Sequence, residues 1–510
     1  MGRLSPFRLR LRDSGQTMVA AWSLILLLGC LAIRAVGTMH VGYDPDEFQF
    51  LHSAWMIGRG QVPYRDFWTN NSPLFLYLLT PLVAIYDGDP SVLTAARTVA
   101  WVLNLGLFGV VAYLAAGRTS WTAGLFAALL LATNLLLLEP SVNLRHDSLT
   151  VTFELIGLAL FGRGVSSRRP REILAAGAAL GAALSLSPKA LLALTGVVVG
   201  YVVHCVSAAR NSGRARPLRG HIRVLSILLA GTFGTFGLIV AALMPLEVWP
   251  IMIQRAFTDS FTNPDRFYPL TAYLWRYLVK DPVAWLVLLG GLGVTARDWW
   301  NERKRADPRE TVMLVWCLWF GLTYLCLMPS PYRQSAMPFV AILSIFGGRL
   351  LARAATRGSG ATGSARKAAW SASLLVVATW IAVTSTYWTV GRFAQGRRIN
   401  VETAQTIDYV LRITRPGDVV FDGTSVAIFR PQASYYGSLT NALLFQIRSG
   451  DLDFDIPARC ERLSCSVVIV DFRVARLPQK ILRWILDNYT SSAAFPDVLL
   501  HRSFVPPADG

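Results

Sequence analysis

Charge is scarce in this 510-residue sequence: 16% of residues are charged and 53% are hydrophobic, whereas soluble chains average about 25% charged residues. Acidic side chains are scarcest, with 31 Asp and Glu against 49 Lys and Arg. The six cysteines and six histidines are scattered and offer no compact metal-ligand spacing, so the sequence carries no zinc-site signature. No Gly-rich phosphate loop occurs in the less hydrophobic part, which removes the usual nucleotide-binding folds. No internal repeat with paired broken helices is visible, and a secondary transporter would be expected to show one.

What is present is hydrophobic length. Mean hydropathy is +0.42, and apolar runs of about 17–25 residues, enough to cross a bilayer, recur through the first three quarters. Spans are predicted at 18–39, 93–115, 120–138, 148–162, 172–187, 190–206, 224–245, 282–296, 311–328, 335–352 and 369–389. The first follows Arg3, Arg8, Arg10 and Arg12; its length and the weak cleavage site at Val36-Gly37-Thr38 favour an uncleaved anchor over a signal peptide.

The net charge of +18 would point to nucleic acid in a soluble chain. Here the cations sit in short loops, which favours anionic membrane lipids as partners and not nucleic acid. With the amino terminus inside, Arg118, Arg163, Arg168, Arg169, Arg171, Arg210, Arg214, Arg216, Arg219 and Arg223 all fall on the cytoplasmic side. So do the run Arg303-Lys304-Arg305 with Arg309, and Arg357, Arg366 and Lys367. Outer loops are then 40–92, 139–147, 246–281 and 329–334. Counting 73–86 as a span would invert every later loop, so this short segment with Pro81 inside it is expected to be interfacial or re-entrant, and 48–58 to lie flat on the membrane. The expected fold is a polytopic α-helical membrane protein of about eleven spans, residues 1–390, followed by a small extracytoplasmic α/β or α+β domain, 391–510. In that domain helices are expected at 401–413 and 477–489, and strands at 418–421 and 467–470. Cys460 and Cys465 can pair across a tight loop or remain thiols; Cys30, Cys205, Cys317 and Cys326 read as packing residues.

Chemistry-bearing residues gather in the outer loops. The cluster Gly42-Tyr43-Asp44-Pro45-Asp46-Glu47 follows the first span. A carboxylate near a low-dielectric boundary is costly unless paired or used, so Asp46 and Glu47 are candidate catalytic groups, one as general base. A solvated acidic turn is the bland alternative and suits Asp44-Pro45. Tyr64-Arg65-Asp66-Phe67-Trp68 mixes charge and rings in a way that suits either the headgroup layer or stacking on a sugar. Arg145-His146-Asp147 opens a span, where Asp147 can orient Arg145 or form a second acidic wall. Lys189 and Arg333, with Tyr332 beside it, sit where a lipid phosphate would lie; snorkelling at headgroups explains their position equally well.

Taken together, these residues resemble the GT-C class of polyprenyl-phosphate-sugar-dependent glycosyltransferases, in the bacterial branch near protein O-mannosyltransferases and lipid A aminoarabinose transferases. The resemblance rests on Asp46-Glu47, on Ala54 and Gly60 with Pro63-Tyr64 and Asp66, and on Asn71-Ser72-Pro73-Leu74. It continues through Arg145-x-Asp147, Ser187-Pro188-Lys189 and Pro331-Tyr332-Arg333-Gln334 leading to Pro338, in order over roughly residues 40–350. It implies that Asp46 is the catalytic aspartate and that Asp147 occupies the second-loop acidic position. Tyr64, Arg65, Asp66, Arg145, Lys189, Tyr332 and Arg333 become candidate substrate-binding residues. The family's juxtamembrane motif often begins with Lys or His before proline; Asn71-Ser72 stand here instead, so the phosphate charge falls to another cation, Lys189 or Arg333.

The implied reaction is inverting transfer of a sugar from a polyprenyl phosphate to an extracytoplasmic lipid, glycan or protein at a bacterial inner membrane, with a divalent metal admitted but demanded by no motif. Two other classes stay open: a transporter or flippase of polyprenyl-linked sugars, and a non-catalytic subunit of a cell-envelope glycan assembly system.

Overall fold

The computed structural model describes residues 14–117, 120–212, 218–259, 270–302, 307–326, 332–359 and 364–506. Arg3, Arg8, Arg10, Arg12, Arg118, Arg214, Arg216, Arg303, Lys304, Arg305 and Pro331, which carry part of the predicted topology and motifs, lie outside the described residues, as do the side chains of Arg210 and Cys326.

The chain is helical from its start: α1 Ser14–His40, α2 Pro45–Gly58, α3 Pro73–Ile85, α4 Val92–Ala116, α5 Trp121–Thr133, α6 Asp147–Ser167, α7 Pro170–Leu186, α8 Ala190–Ser212 and α9 Leu218–Leu243. The short α10 Trp249–Met252 precedes α11 Leu270–Lys280, α12 Pro282–Glu302, α13 Pro308–Cys326, α14 Met337–Ser359, α15 Ser364–Val390 and α16 Phe393–Ile413. Every predicted span coincides with a helix. Seven stretches among the described residues are long and apolar enough to cross a membrane: α1, α4, α6, α8, α9, α14 and the 50-residue run through α15 and α16. The 13-residue α5 is about 20 Å long at 1.5 Å per residue, short of a 30 Å hydrocarbon core.

Close approach holds the bundle together. Where α7 meets α9, a Cβ on Gly177 would collide with the Leu228 carbonyl oxygen, so glycine is what lets the backbones touch. Arg34 of α1 is buried and pairs with no carboxylate among the described residues. It donates instead from Nε to Ala132 O at 2.5 Å, from Nη2 to Asn134 O at 3.2 Å and from Nη1 to Leu137 O at 3.3 Å, and it also bonds Ser141 Oγ. These acceptors include the carbonyls left open at the end of α5, and the bonds pin the loop that leads to Arg145.

After α16, β1 Val420–Phe421 pairs in parallel with β2 Val467–Ile469. Antiparallel pairing of β2 with β4 Val498–His501, and of β4 with β3 Tyr489–Ser491, completes a sheet of order β1-β2-β4-β3. Helices α17 Asn441–Ser449, α18 Ile456–Leu463 and α19 Gln479–Asn488 accompany it. Cys460 and Cys465 are both buried thiols, joined by the Cys465 N–H to Cys460 O bond at 2.9 Å.

The structure departs from expectation at α2. Mixed polarity at 48–58 suggested a helix lying on the membrane surface. Instead every residue from Glu47 to Met56 is buried, because α3 and α4 cover the helix on one side and the C-terminal α/β part covers it on another. Phe50 and Leu51 share one apolar cluster with Leu76, Leu79, Leu93, Ile407, Val410, Val420, Ile428 and Phe429. His52 Nδ1 bonds Ile428 O at 2.8 Å across the same seam.

Candidate active site

The start of α2 is built by its own sequence. Asp44 caps the helix, accepting from Asp46 N–H at 3.0 Å, and Glu47 reaches back to accept from Asp44 N–H at 2.7 Å. Pro45 fills the first helical position, where its missing N–H costs nothing. The cap fixes the directions of three acidic side chains that follow one another closely in sequence.

Glu47 turns inward. Its carboxylate, buried, accepts from Arg97 Nη2 at 2.6 Å and Nε at 2.7 Å, and from Leu144 N–H at 3.0 Å. Arg97 also bonds Thr38 O and Val41 O and stacks under Tyr43, its Cζ 4.3 Å from the ring centre. Every Glu47 oxygen is therefore engaged in joining α1, α2, α4 and the loop before α6.

Asp46 turns the other way. Arg145 Nη2 donates to Asp46 Oδ2 at 2.8 Å, Nη1 lies 3.4 Å from Asp44 Oδ2, and Nε donates to Asp147 Oδ2 at 3.1 Å. One guanidinium thus gathers three carboxylates. Asp147 Oδ1 lies 3.6 Å from Lys189 Nζ, in the turn Ser187-Pro188-Lys189 between α7 and α8. Arg145 and Asp147 are buried, whereas the side chains of Asp44, Asp46 and Lys189 each keep 34% exposure, so the cluster opens to the outside through these three.

The charges respond to one another. Burial opposes ionisation of Asp46, but Arg145 and then Arg473 outweigh it and hold the carboxyl below its ordinary value. Asp44 is pushed up, first by burial and then by Asp46. Burial also works against the Arg145 charge, yet Asp46, Asp44 and Asp147 overcome it and raise its pKa. His146, beside them, is pushed down to about 4, mainly by burial. The site therefore presents Asp46 as a part-exposed carboxylate with a weakened affinity for protons.

Other candidates lie elsewhere. Tyr64 is buried at φ 66°, its hydroxyl bonded to Asn71 O and its carbonyl accepting from Tyr435 at 2.5 Å. Arg65 pairs with Asp66 at 2.9 Å and approaches Glu247 at 3.7 Å, while Asp66 accepts from Val62 N–H at 2.7 Å. This turn closes on itself and on the C-terminal part; no hydrogen bond or ion pair among the described residues joins it to Asp46. Arg333 binds Glu139, which Arg392 also binds, and Tyr332 is exposed, with its carbonyl accepting from Tyr324. The sequence motifs therefore divide into the Asp46 cluster, a structural turn and a separate cationic clasp.

Two members of the site's surroundings escaped the sequence reading. Glu154 is buried two turns along α6 from Asp147, and its Oε2 has no hydrogen-bond partner among the described residues. The spacing of seven on an apolar helix was the available signal. Arg473, from the loop after β2, acts on Asp46, and nothing in its local sequence announces that. Among the described residues, no three His, Cys, Asp or Glu side chains are grouped so as to hold a metal ion; the three aspartates converge on Arg145 instead.

No family model and no curated protein sequence matches the chain. Solved structures do. ArnT from Cupriavidus metallidurans, bound to undecaprenyl phosphate, superposes with a TM-score of 0.61 at 14% identity, covering 96% of this chain and 99% of that one. The oligosaccharyltransferase of Archaeoglobus fulgidus in its apo form gives 0.54 at 12% identity, covering 96% and 75%. The archaeal oligosaccharyltransferase AglB from the same organism, in complex with an inhibitory peptide and a dolichol-phosphate, gives 0.53 at 12% identity, with the same coverage. At these identities the likeness is one of fold, and the fold is that of the GT-C glycosyltransferases.

Proposed function

We propose that the protein is an inverting membrane glycosyltransferase that moves a sugar from a polyprenyl phosphate to a hydroxyl group on an extracytoplasmic lipid, glycan or protein. The observation that carries this reading is Asp46: an ionised, part-exposed carboxylate held by Arg145 at 2.8 Å, in a chain whose fold matches ArnT bound to undecaprenyl phosphate along its whole length. The membrane is a bacterial plasma membrane, with the amino terminus inside and residues 391–510 forming a domain outside. The basic loops of the inner face rest on anionic lipids.

The acceptor oxygen attacks the anomeric carbon from the face opposite the phosphate. The new C–O bond forms as the bond to the phosphate oxygen breaks, and its electron pair leaves with the phosphate. Asp46 first accepts a hydrogen bond from the acceptor hydroxyl. A carboxylate with depressed proton affinity is a weak base in the ground state, but the hydroxyl becomes strongly acidic as it bonds to carbon, so transfer of the proton to Asp46 falls late. Arg145 fixes the carboxylate's direction, and Asp147 fixes Arg145 and Lys189. Lys189 stands at the open side, with Asp147 its one ion-pair partner among the described residues, and supplies charge to the departing phosphate. Arg333, already engaged by Glu139, is the weaker candidate for that task. Glu47 serves the scaffold.

The test is mass spectrometry of lipids bound to purified wild-type protein and the Asp46→Asn variant, before and after adding a crude envelope acceptor pool. Wild type should convert a bound polyprenyl-phosphate sugar to free polyprenyl phosphate, while the variant retains the sugar. Equal conversion by both proteins would overturn the role of Asp46. A bound lipid that wild type never converts would favour carriage over transfer.

A further inference from the structure

The cations around Asp46 differ in how much of their hydrogen-bonding capacity is already used. Arg145 is taken by three carboxylates, and Lys189 is paired with Asp147. Arg473 is 8% exposed and has no carboxylate within ion-pairing distance among the described residues. Its Nη1 donates to Ser438 Oγ at 2.6 Å, while its buried Nε has no partner. Among the described residues neither Nε nor Nη2 makes a hydrogen bond, so the donors of the Nε–Nη2 edge are unspent. That edge is the fork that matches two oxygens of a phosphate.

The fork is placed by the backbone around it. Arg473 follows β2, at the carboxyl ends of the two parallel strands, where open α/β sheets commonly bind ligands. Asp471 Oδ1 accepts from the N–H groups of Arg473 at 2.8 Å and Val474 at 2.9 Å, and its Oδ2 accepts from Gly423 N–H at 2.9 Å. A Cβ on Gly423 would lie 2.7 Å from Arg473 Cβ and 2.7 Å from Asp471 Oδ1. The loop after β1 can therefore pack onto the loop after β2 only with glycine there. Ser438, which accepts from Arg473, follows Gly437, where a Cβ would lie 3.6 Å from His52 Cδ2 of α2, so the guanidinium is tied to a loop packed on the helix that carries Asp46, and its charge reaches that carboxylate.

We propose that Arg473 is a donor-phosphate-binding residue supplied by the C-terminal α/β part, its Nε–Nη2 fork taking two oxygens of the phosphate that links lipid to sugar. This rests on the glycosyltransferase reading above and names the group that completes its anion site. The phosphate gains negative charge when its bond to the anomeric carbon breaks, so a fixed guanidinium favours the departing state over the bound donor. Its nearness to Asp46 serves the same step, since base and leaving group must flank one sugar carbon.

Full-length protein in phosphatidylcholine nanodiscs should be titrated with undecaprenyl phosphate and with uncharged undecaprenol. Wild type should prefer the phosphate. R473Q should lose about 10- to 100-fold in affinity for the phosphate, the range expected for a charge-assisted hydrogen bond, and keep its affinity for the alcohol. R473K should recover part of the loss, since the charge returns without the fork. Unchanged melting temperatures in both variants exclude misfolding as the cause. R473Q retaining the full preference for phosphate would overturn the assignment, even if its turnover fell. Wild type lacking that preference would instead overturn the donor reading itself, so the two failures are distinguishable.

Discussion

Arg145 and Asp46 meet at 2.8 Å although 99 positions separate them in sequence. The same guanidinium holds Asp44 and Asp147, so the direction of the Asp46 carboxylate is set by a loop that Arg34, from yet another helix, ties in place. Neighbouring residues on α2 thus have opposite fates: Asp46 faces an opening and Glu47 an ion pair in the interior.

Paired substitutions should separate those fates. Asp46→Asn keeps volume at an accessible position and should abolish turnover with little change in melting temperature. Glu47→Gln strands the Arg97 charge in the interior and should cost about 3–5 kcal/mol, the usual consequence of breaking a buried pair. Thermal unfolding and turnover measured on both variants check the contrast; a stable Glu47→Gln protein would show that the carbonyls around Arg97 suffice for it.

Lys189→Ala should raise the donor KM and lower kcat, since its ammonium is open on one side and stabilises charge that grows during transfer. Arg333→Ala should act mainly on stability, because it releases Glu139 from one of two arginines. Steady-state kinetics with a saturating acceptor distinguishes the two. A Lys189→Ala enzyme with unaltered donor kinetics would shift the phosphate charge wholly to other cations.

Stability should respond to pH through His52. Burial holds its pKa at about 4 against an ordinary value near 6.5. As pH falls from 6.5 toward 4, the unfolded chain takes up a proton that the folded chain refuses, so this residue's contribution to stability declines across that window and levels off below it. Asp422, raised by burial to about 7, acts with the opposite sign between roughly pH 4 and 7. The comparison must therefore be differential. His52→Asn keeps a donor for Ile428 O and should gain on wild type by about 1.4 kcal/mol per pH unit as pH falls through the window. Parallel melting curves at every pH would contradict it.

Arg34→Met should destabilise the protein by several kcal/mol, on the order of other losses of a buried charged partner, because the Asn134 and Leu137 carbonyls lose their donor. The effect should reach the active site as well. Turnover at temperatures below unfolding should drop with the variant's loosening of the Arg145 loop, which hydrogen exchange of residues 134–147 would report.

Much of this was legible from residue order. Periodicity and hydropathy located the long helices of the bundle, since long apolar runs depend little on tertiary context, but not Leu270–Lys280, which lies in a stretch read only as an outer loop; Asp46, Arg145, Asp147 and Lys189 were visible as charges at the ends of such runs. At the turn Tyr64–Asp66, rings and charges look alike in sequence whether they meet a ligand or each other; here Tyr64 packs inside, and Arg65 pairs with Asp66 and approaches Glu247. Burial of α2 was hidden because its cover includes Ile407, Val410 and Phe429, more than three hundred residues downstream. Arg473 was hidden for the same reason: its place beside Asp46 depends on how the sheet docks, which no local pattern encodes.

The dependence of α2 on residues beyond Phe393 also sets an order of events at the ribosome. The helix that carries Asp46 is made well before Ile428, its partner through His52 and 376 positions away, and before the apolar residues that cover it. Until those residues emerge, the growing chain holds Asp46 on a helix with one flank bare. The helix gains its full cover only once the C-terminal α/β part has docked on it.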